Sequence, residues 1–136
     1  MIPRFDLFNE ARQPFASARE SSEYLKRARD RFSVQNLSYW FLGSSPQMPD
    51  RLTWLSTYDQ EYMAVYMREY SPLNDPVFDV CFRRLLPLDW HEMRDADQQA
   101  QMIHQVAEQY GIGRHGISFP IRDPGFGDAM FSVNFE

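Results

Sequence analysis

The order of the predicted elements indicates an α+β or three-layer α/β domain, in which helices cover an antiparallel sheet. The chain has 136 residues, of which 43% are hydrophobic and 15% aromatic, enough for one domain with a packed core. Patterning predicts a helix, two strands, three helices and two strands, in that order. Because the strands come in pairs that are close in sequence, we expect antiparallel hairpins and not crossover units.

The first half of the chain predicts an arm, a helix and a hairpin. Residues 1–16 mix aromatic residues, prolines and charges, and we interpret them as an N-terminal arm. Apolar residues then recur at helical spacing over 17–32. The aromatic-rich run 36–42 predicts a strand that ends at the loop 43–46, and 52–57 predicts its hairpin partner.

Helix caps and turn residues separate the elements of the second half. Asp59 can cap one helix, and Asp75-Pro76 is a strong start signal for the next, because Asp caps helices and Pro fits the first helical position. The glycines after residue 110 stop a long helix. The predicted elements are helices over 59–69, 76–85 and 96–110, an extended connector over 86–90, strands over 115–122 and 129–135, and the turn 123–127.

Charge and cysteine content exclude several classes of function. The net charge is -5 and the pI is ≈ 5.2, whereas a domain that binds nucleic acid through its phosphates usually has a basic patch and a high pI. The basic run at 26–31 is interleaved with acidic residues, so we expect a solvated helix face and no direct nucleic-acid contact. With Cys81 alone, no intramolecular disulfide can form. No stretch has the ~20 apolar residues of a membrane span, and the first residues lack a signal-peptide core, so we expect a soluble, cytoplasmic protein.

Four tyrosines recur at every fourth residue, at positions 58, 62, 66 and 70. A step of four residues advances about 40° beyond a full helical turn, so the middle pair shares one face and the outer two drift from it. Two interpretations are open: the rings and hydroxyls face a ligand, or the stripe packs into the core. Asp75 is equally open, since its carboxylate can cap a helix and also accept a ligand N–H.

Several short motifs together indicate a family. They are Tyr58-x-x-x-Tyr62-x-x-x-Tyr66, Asp75-Pro76-Val77, Trp90 and Gly116-Ile117-Ser118-Phe119-Pro120, with the upstream segment 37–42. The ordered set resembles the autoinducer-binding domain of LuxR-type quorum-sensing regulators, over most of the chain. The resemblance implies an α-β-α sandwich with a central antiparallel sheet and a ligand pocket between sheet and helices. It also implies that residues 17–136 bind an acyl-homoserine-lactone-like signal, either an N-acyl-homoserine lactone or a related small molecule, with no other cofactor, as the sensor domain of a quorum-sensing transcriptional regulator.

The resemblance implies binding roles for individual residues. The carboxylate of Asp75 accepts the amide N–H of the ligand, and Tyr58 and Ser132 hydrogen-bond the acyl carbonyl. Tyr66 lines the pocket near the junction of lactone and acyl chain, and Trp90 forms a wall beside the lactone ring.

Other residues are expected to shape the pocket. By strand alternation Tyr39 and Phe41 share one face of the first strand, and we expect that face to meet the acyl chain. Pro76 sets the turn into its helix and Val77 follows it, while Gly116 keeps the backbone close beneath the ligand.

The chain departs from the family pattern in two ways. Tyr62 stands where the family usually has a tryptophan whose indole N–H donates to the lactone carbonyl, so the head group of the ligand does not follow from the resemblance. The chain also ends at Glu136, before the closing strand and helix and the helix-turn-helix domain of the family. We therefore expect a homodimer, or a heterodimer with a LuxR-type regulator. The alternative function is a ligand-independent fragment that heterodimerises with a full-length regulator and inhibits it.

An enzyme is not predicted. The three histidines are scattered and lack metal-ligand spacing, so we expect no metal site and interpret them as surface or pocket-edge residues. The chain has no Gly-x-Ser-x-Gly motif and no visible pair of nucleophile and base, so we expect no catalytic residues.

Overall fold

A five-stranded antiparallel sheet forms the centre of the molecule, in a computed structural model that describes residues 18–43, 53–72, 74–94, 98–123 and 127–136. The predicted antiparallel sheet is therefore confirmed. The strand order is β2-β1-β5-β4-β3, so the first hairpin and the last hairpin meet at the pair β1–β5. The strands are β1 (Asn36–Gly43), β2 (Thr53–Ser56), β3 (Leu88–Asp89), β4 (His115–Asp123) and β5 (Gly127–Phe135).

Helices cover both faces of this sheet, as the sandwich requires. The helices are α1 (Ala18–Phe32), α2 (Gln60–Glu69), α3 (Pro76–Phe82), α4 (His91–Arg94) and α5 (Gln98–Gln109). On one face, which we call the outer face, Leu25 and Ala28 of α1 pack on Leu37, with Phe131 and Val133 beside them. On the other, inner face, the buried side chains of α2, α3 and α5 form a larger core with side chains of β1 and β5.

Two aspartates fix the helices that matter most for the site. Asp59 is the N-cap of α2, and its side chain accepts hydrogen bonds from the backbone N–H groups of Glu61 and Tyr62. Asp75 is the N-cap of α3, with Pro76 following at the first turn. Both predicted helix starts are confirmed.

The connector predicted to be extended over 86–90 contains more structure than the sequence indicates. Leu88 and Asp89 form the short edge strand β3, and His91–Arg94 form the one-turn helix α4. Elements this short are below the length at which periodicity is informative. The helix α3 ends at Phe82, earlier than predicted, and Leu85 and Leu86 are strongly exposed. The predicted arm at 1–16 and the loop residues 44–46 and 124–126 lie outside the described residues.

None of the helices in the described ranges is both long enough and apolar enough to cross a membrane.

Candidate ligand-binding site

A cavity of about 30 Å³ lies between the inner face of the sheet and helices α2, α3 and α5. Space of this size holds one or two water molecules, whereas pockets for drug-sized ligands measure roughly 300–1,000 Å³. Most of its wall is apolar and aromatic. The residues that line it are Trp40, Tyr58, Tyr62, Tyr66, Asp75, Val77, Phe78, Trp90, Ile103, His104, Ala107, Met130 and Ser132.

Tyrosine rings fill the side of the cavity formed by α2. Tyr62 and Tyr66 are buried one turn apart, and their rings stack with centroids 5.9 Å apart. Tyr58, which precedes the N-cap, meets Tyr62 edge to face at 5.6 Å, and Tyr110 packs on Tyr62 at 5.9 Å. Burial raises the pKa of Tyr62 and Tyr58, so both phenols keep their protons and remain hydrogen-bond donors.

Asp75 places a buried carboxylate at the start of α3. One oxygen accepts the hydroxyl of Tyr66 at 2.7 Å, and the other accepts the backbone N–H of Val77 at 2.9 Å. Burial raises the pKa of Asp75, and these two hydrogen bonds partly oppose the rise. The pKa of Tyr66 is raised by burial and by the neighbouring Asp75, which keeps Tyr66 a donor to the carboxylate.

A chain of hydrogen bonds runs along β1 and ends on β5. The indole N–H of Trp40 donates to Ser38 at 3.2 Å, and Ser38 donates to the hydroxyl of Tyr58 at 3.2 Å. Tyr58 in turn donates to the side-chain oxygen of Asn134 at 2.8 Å. We call these four residues the Trp40 chain.

A second chain, the Trp90 chain, crosses from the loop before α4 to the middle of the sheet. The indole N–H of Trp90 donates to Ser118 Oγ at 2.7 Å, and the hydroxyls of Ser118 and Ser132 lie 2.7 Å apart. Because an indole can only donate, the proton of Ser118 is free to go to Ser132. The proton of Ser132 is then available to an acceptor in the cavity, since the described residues offer it no other partner.

His104 closes the cavity from α5. Its Nδ1 lies 2.7 Å from the backbone oxygen of Ala100, and because a carbonyl only accepts, Nδ1 carries the proton. The ring meets the indole of Trp90 edge to face at 5.3 Å. His104 therefore supports the wall that Trp90 forms.

The cavity thus combines one acidic acceptor with several hydroxyl donors inside an apolar wall. Such a set matches a ligand that carries an N–H group and a carbonyl oxygen next to an apolar chain. Within the described residues, no three His, Cys, Asp or Glu side chains are grouped so that they could hold a metal ion.

A comparison with protein families assigns this arrangement. The protein-family model described as the autoinducer binding domain matches residues 17–136. The chain belongs to the autoinducer-binding domain family. The resemblance to LuxR-type regulators is confirmed by this match and by the relatives that follow.

Relatives and solved structures agree with the family. The transcriptional activator protein RaiR of Rhizobium etli is 31% identical over 78 residues, which are 57% of this chain and 32% of RaiR. The LuxR-family transcription factor CepR2 of Burkholderia cenocepacia superposes with a TM-score of 0.75 at 17% identity, covering 96% of this chain and 74% of CepR2. SdiA in complex with octanoyl-rac-glycerol gives a TM-score of 0.69 at 17% identity, covering 96% of this chain and 51% of SdiA. The match to RaiR thus spans about a third of that relative, and the structural likeness concerns the fold.

Most of the predicted site residues meet in this autoinducer-binding domain. Seven of them line the cavity: Tyr58, Tyr62, Tyr66, Asp75, Val77, Trp90 and Ser132. Pro76 lies beside them as the first residue of α3. Gly116 lies behind Trp90, where a Cβ would be 2.6 Å from the ring carbon Cε3, so this glycine makes room for the indole.

Tyr39 and Phe41 do not reach the cavity. Alternation along β1 puts Trp40 on the inner face, and Tyr39 lies opposite Leu55 and Phe131 on the outer face. The choice of strand face is therefore corrected: Ser38 and Trp40 face the site.

Sequence reasoning missed Trp40 and the apolar residues that close the cavity, among them Phe78, Ile103 and Met130. Only the strand pairing of the folded sheet places Trp40 at the site. Ser38 lies directly opposite Ser132, and paired residues point to the same face, so a pocket at Ser132 includes Trp40 two residues after Ser38.

Proposed function

We propose that this domain binds an N-acyl-homoserine lactone, or a closely related acyl compound, as the sensor part of a quorum-sensing transcriptional regulator. The observation that carries the proposal is the carboxylate of Asp75, buried at the edge of an aromatic cavity with two hydrogen bonds. A carboxylate has lone pairs for further donors, so Asp75 can accept a ligand N–H while it caps α3.

The remaining polar groups fit the rest of such a ligand. Ser132 has a proton to donate, and Tyr58 lies on the same side of the cavity, so the acyl carbonyl is assigned to these two hydroxyls. Trp90 is the wall for the head group, and Tyr66 holds Asp75 in place from the side.

Ligand binding has to enlarge the cavity, because about 30 Å³ is far below the volume of an acyl lactone. The side chains that give way are the rings of Tyr62 and Tyr110, which pack on each other, while Tyr66 stays bonded to Asp75. The ligand then replaces packing that the rings make with one another. Binding and the stability of the domain are therefore coupled.

Tyr62 determines which head group of the ligand the site accepts. A tyrosine hydroxyl both donates and accepts, so it suits a lactone carbonyl and also a hydroxylated head group. SdiA, a structural neighbour, has been solved with octanoyl-rac-glycerol. Acylglycerols therefore belong beside acyl lactones among the compounds to test.

Thermal unfolding with a panel of ligands tests the proposal. The panel comprises N-acyl-homoserine lactones of increasing chain length, octanoylglycerol, and octanoic acid as a compound without a head group. A ligand at 100 times its Kd adds about 2.7 kcal/mol, which raises Tm by several degrees in a domain of this size. Absence of any shift, together with no small molecule in mass spectra of the purified protein, would exclude the sensor function.

A matched pair of variants locates the site. Tyr58→Phe removes a hydroxyl at the cavity and should reduce the ligand-induced shift in Tm. Tyr39→Phe removes the same group from the outer face and should leave the shift unchanged, since Tyr39 lies on the far side of the sheet. Equal effects of the two substitutions would contradict the assignment.

Two observations favour a second function: the cavity is small, and apolar side chains are exposed on the outer face of the sheet. Phe119 and Ile121 of β4 are 38% and 42% exposed there. In this alternative the domain acts without ligand, heterodimerises with a full-length LuxR-type regulator and inhibits it. A complex that forms equally well with and without acyl lactone, measured by light scattering, would support it, and a strict requirement for the lactone would exclude it.

A further inference from the structure

Asn134 is a buried amide of which only one half is paired. Its side chain is fully buried on the inner face of β5. The oxygen Oδ1 accepts the hydroxyl proton of Tyr58 at 2.8 Å, whereas Nδ2 has no hydrogen-bond partner in the described part of the chain. A buried donor without an acceptor is costly, so this arrangement calls for a physical account.

The direction of the Trp40 chain is fixed by its first member. The indole of Trp40 can only donate, so Ser38 accepts from it and passes its own proton to Tyr58. Tyr58 has a single hydroxyl proton, and that proton goes to Asn134. A ligand carbonyl that enters the cavity cannot take a hydrogen bond from Tyr58 while this arrangement holds.

The Trp90 chain ends differently. One hydroxyl proton of the pair Ser118 and Ser132 has no acceptor among the described residues; when Ser118 donates to Ser132, it is the proton of Ser132, which lines the cavity. A carbonyl oxygen can therefore bind Ser132 immediately. Of the two hydroxyls assigned to the acyl carbonyl, only Tyr58 is committed elsewhere.

We propose that Asn134 is a positioning residue, whose amide rotates to release the proton of Tyr58 to the acyl carbonyl of the ligand. In the rotated amide, Nδ2 donates to the oxygen of Tyr58, which also accepts from Ser38, and the proton of Tyr58 points to the ligand. This inference rests on the proposed sensor function. It makes position 134 a determinant of how tightly ligands with an acyl carbonyl bind.

The rotation requires little else to change. The oxygen and the NH₂ group of an amide have nearly the same shape, so the surrounding side chains keep their places. In both orientations one amide atom is paired with Tyr58 and the other is unpaired. The hydrogen bond that Tyr58 makes with the ligand then decides between them.

Titration calorimetry with N-octanoyl-homoserine lactone at pH 7 tests the proposal on wild type, Asn134→Leu and Asn134→Asp, each with and without Tyr58→Phe. In wild type, Tyr58→Phe should raise Kd about tenfold, the value of one hydrogen bond. Leucine at 134 removes the competing acceptor, so Asn134→Leu should bind the probe more tightly than wild type and show a larger effect of Tyr58→Phe. An ionised aspartate accepts only, so Asn134→Asp in its ionised form should bind less tightly and show almost no effect of Tyr58→Phe.

Opposite changes in the two variants are the result that a purely structural role cannot produce. Equal weakening in both, or an effect of Tyr58→Phe that is the same in all backgrounds, would overturn the role of Asn134. Urea unfolding checks that each variant folds; if Asn134→Asp does not, tighter binding by Asn134→Leu supports the proposal and weaker or equal binding refutes it. If wild type binds neither this probe nor any other compound of the panel, the sensor function is refuted, and the release of the Tyr58 proton with it; if it binds another acyl compound of the panel, the same titrations with that compound decide the role of Asn134.

Asn36 provides a matched control. It is also a buried asparagine and lies opposite Asn134 on β1, but its amide bonds the backbone of Ile112 and the hydroxyl of Thr57. Asn36→Leu should lower the midpoint of urea unfolding and leave the fold-change caused by Tyr58→Phe as in wild type. A changed effect of Tyr58→Phe in this background would show that any disturbance of the sheet alters Tyr58, and would refute the specific role of Asn134.

Discussion

Replacing Asp75 by asparagine should weaken ligand binding far more than it weakens the fold. One carboxylate oxygen accepts Tyr66 at 2.7 Å and the other accepts the N–H of Val77 at 2.9 Å. Asparagine keeps one oxygen for the start of α3, but it presents an NH₂ group where the second acceptor was. The ligand N–H then loses a charge-assisted hydrogen bond of about 1.5–3 kcal/mol, so Kd should rise roughly 10- to 100-fold.

In the ligand-free protein, Asp75 should contribute less to stability as pH rises. Burial raises the pKa of Asp75 above its ordinary value. A carboxyl with a raised folded-state pKa contributes stability that is fully present below its unfolded pKa, about 4, and is lost as pH rises through the folded pKa. Because Asp75→Asn lacks this titration, the free energy of unfolding of wild type should fall relative to that of the variant as pH rises from about 4.

Titration calorimetry with the best ligand of the panel, and urea unfolding between pH 4 and 7, measure the two effects. Asp79→Asn is the control, since Asp79 lies on the same helix and pairs with Arg83 at 3.0 Å on the surface, where such pairs contribute little. Unchanged affinity in Asp75→Asn would remove Asp75 from the site. Parallel losses of affinity and stability would show that Asp75 serves only as a helix cap.

Four further substitutions or reactions test other parts of the site. Gly116→Ala forces a Cβ against the ring of Trp90, so the free energy of unfolding in urea should fall by about 1–3 kcal/mol, and an unchanged midpoint would contradict the close packing. Trp40→Phe removes the N–H that donates to Ser38 and should lower the free energy of unfolding by about 1–3 kcal/mol. An unchanged free energy of unfolding would mean that this hydrogen bond does not stabilise the domain. Burial raises the pKa of the Cys81 thiol to about 11, so a disulfide reagent at pH 8 should react much faster with unfolded than with native protein; equal rates would refute the burial. Tyr62→Trp should lower the ratio of the Kd for octanoyl-homoserine lactone to that for octanoylglycerol, and an unchanged ratio would remove residue 62 from head-group selection.

The parts of the site that short-range sequence patterns mark were predictable from the sequence. Asp75-Pro76 marks a helix start through the chemistry of capping, and the structure shows Asp75 as that cap. The spacing of the tyrosines places Tyr62 and Tyr66 on one helix face, and both are buried there. These features depend on a few neighbouring residues, so no knowledge of tertiary structure was needed.

The parts that depend on strand pairing were not predictable in the same way. Alternation states that Tyr39 and Phe41 share a face, but it does not state which face is inside. Both faces of β1 are covered by helices, so hydrophobicity does not distinguish them. The pairing of Ser38 with Ser132 decides the question, and that pairing exists only in the folded sheet.

Residue 62 is the position where the chemistry of this domain and that of a tryptophan-bearing relative diverge. An indole N–H only donates, so it pairs with a lactone carbonyl and offers nothing to a hydroxyl that seeks an acceptor. The hydroxyl of Tyr62 has no partner among the described residues, and it is both a donor and an acceptor. In the proposed function, Ser132 donates to the acyl carbonyl, which acyl lactones and acylglycerols share, and Asp75 accepts the amide N–H of an acyl lactone. A change at residue 62 alone can therefore broaden the range of head groups while the rest of the site still requires an acyl chain.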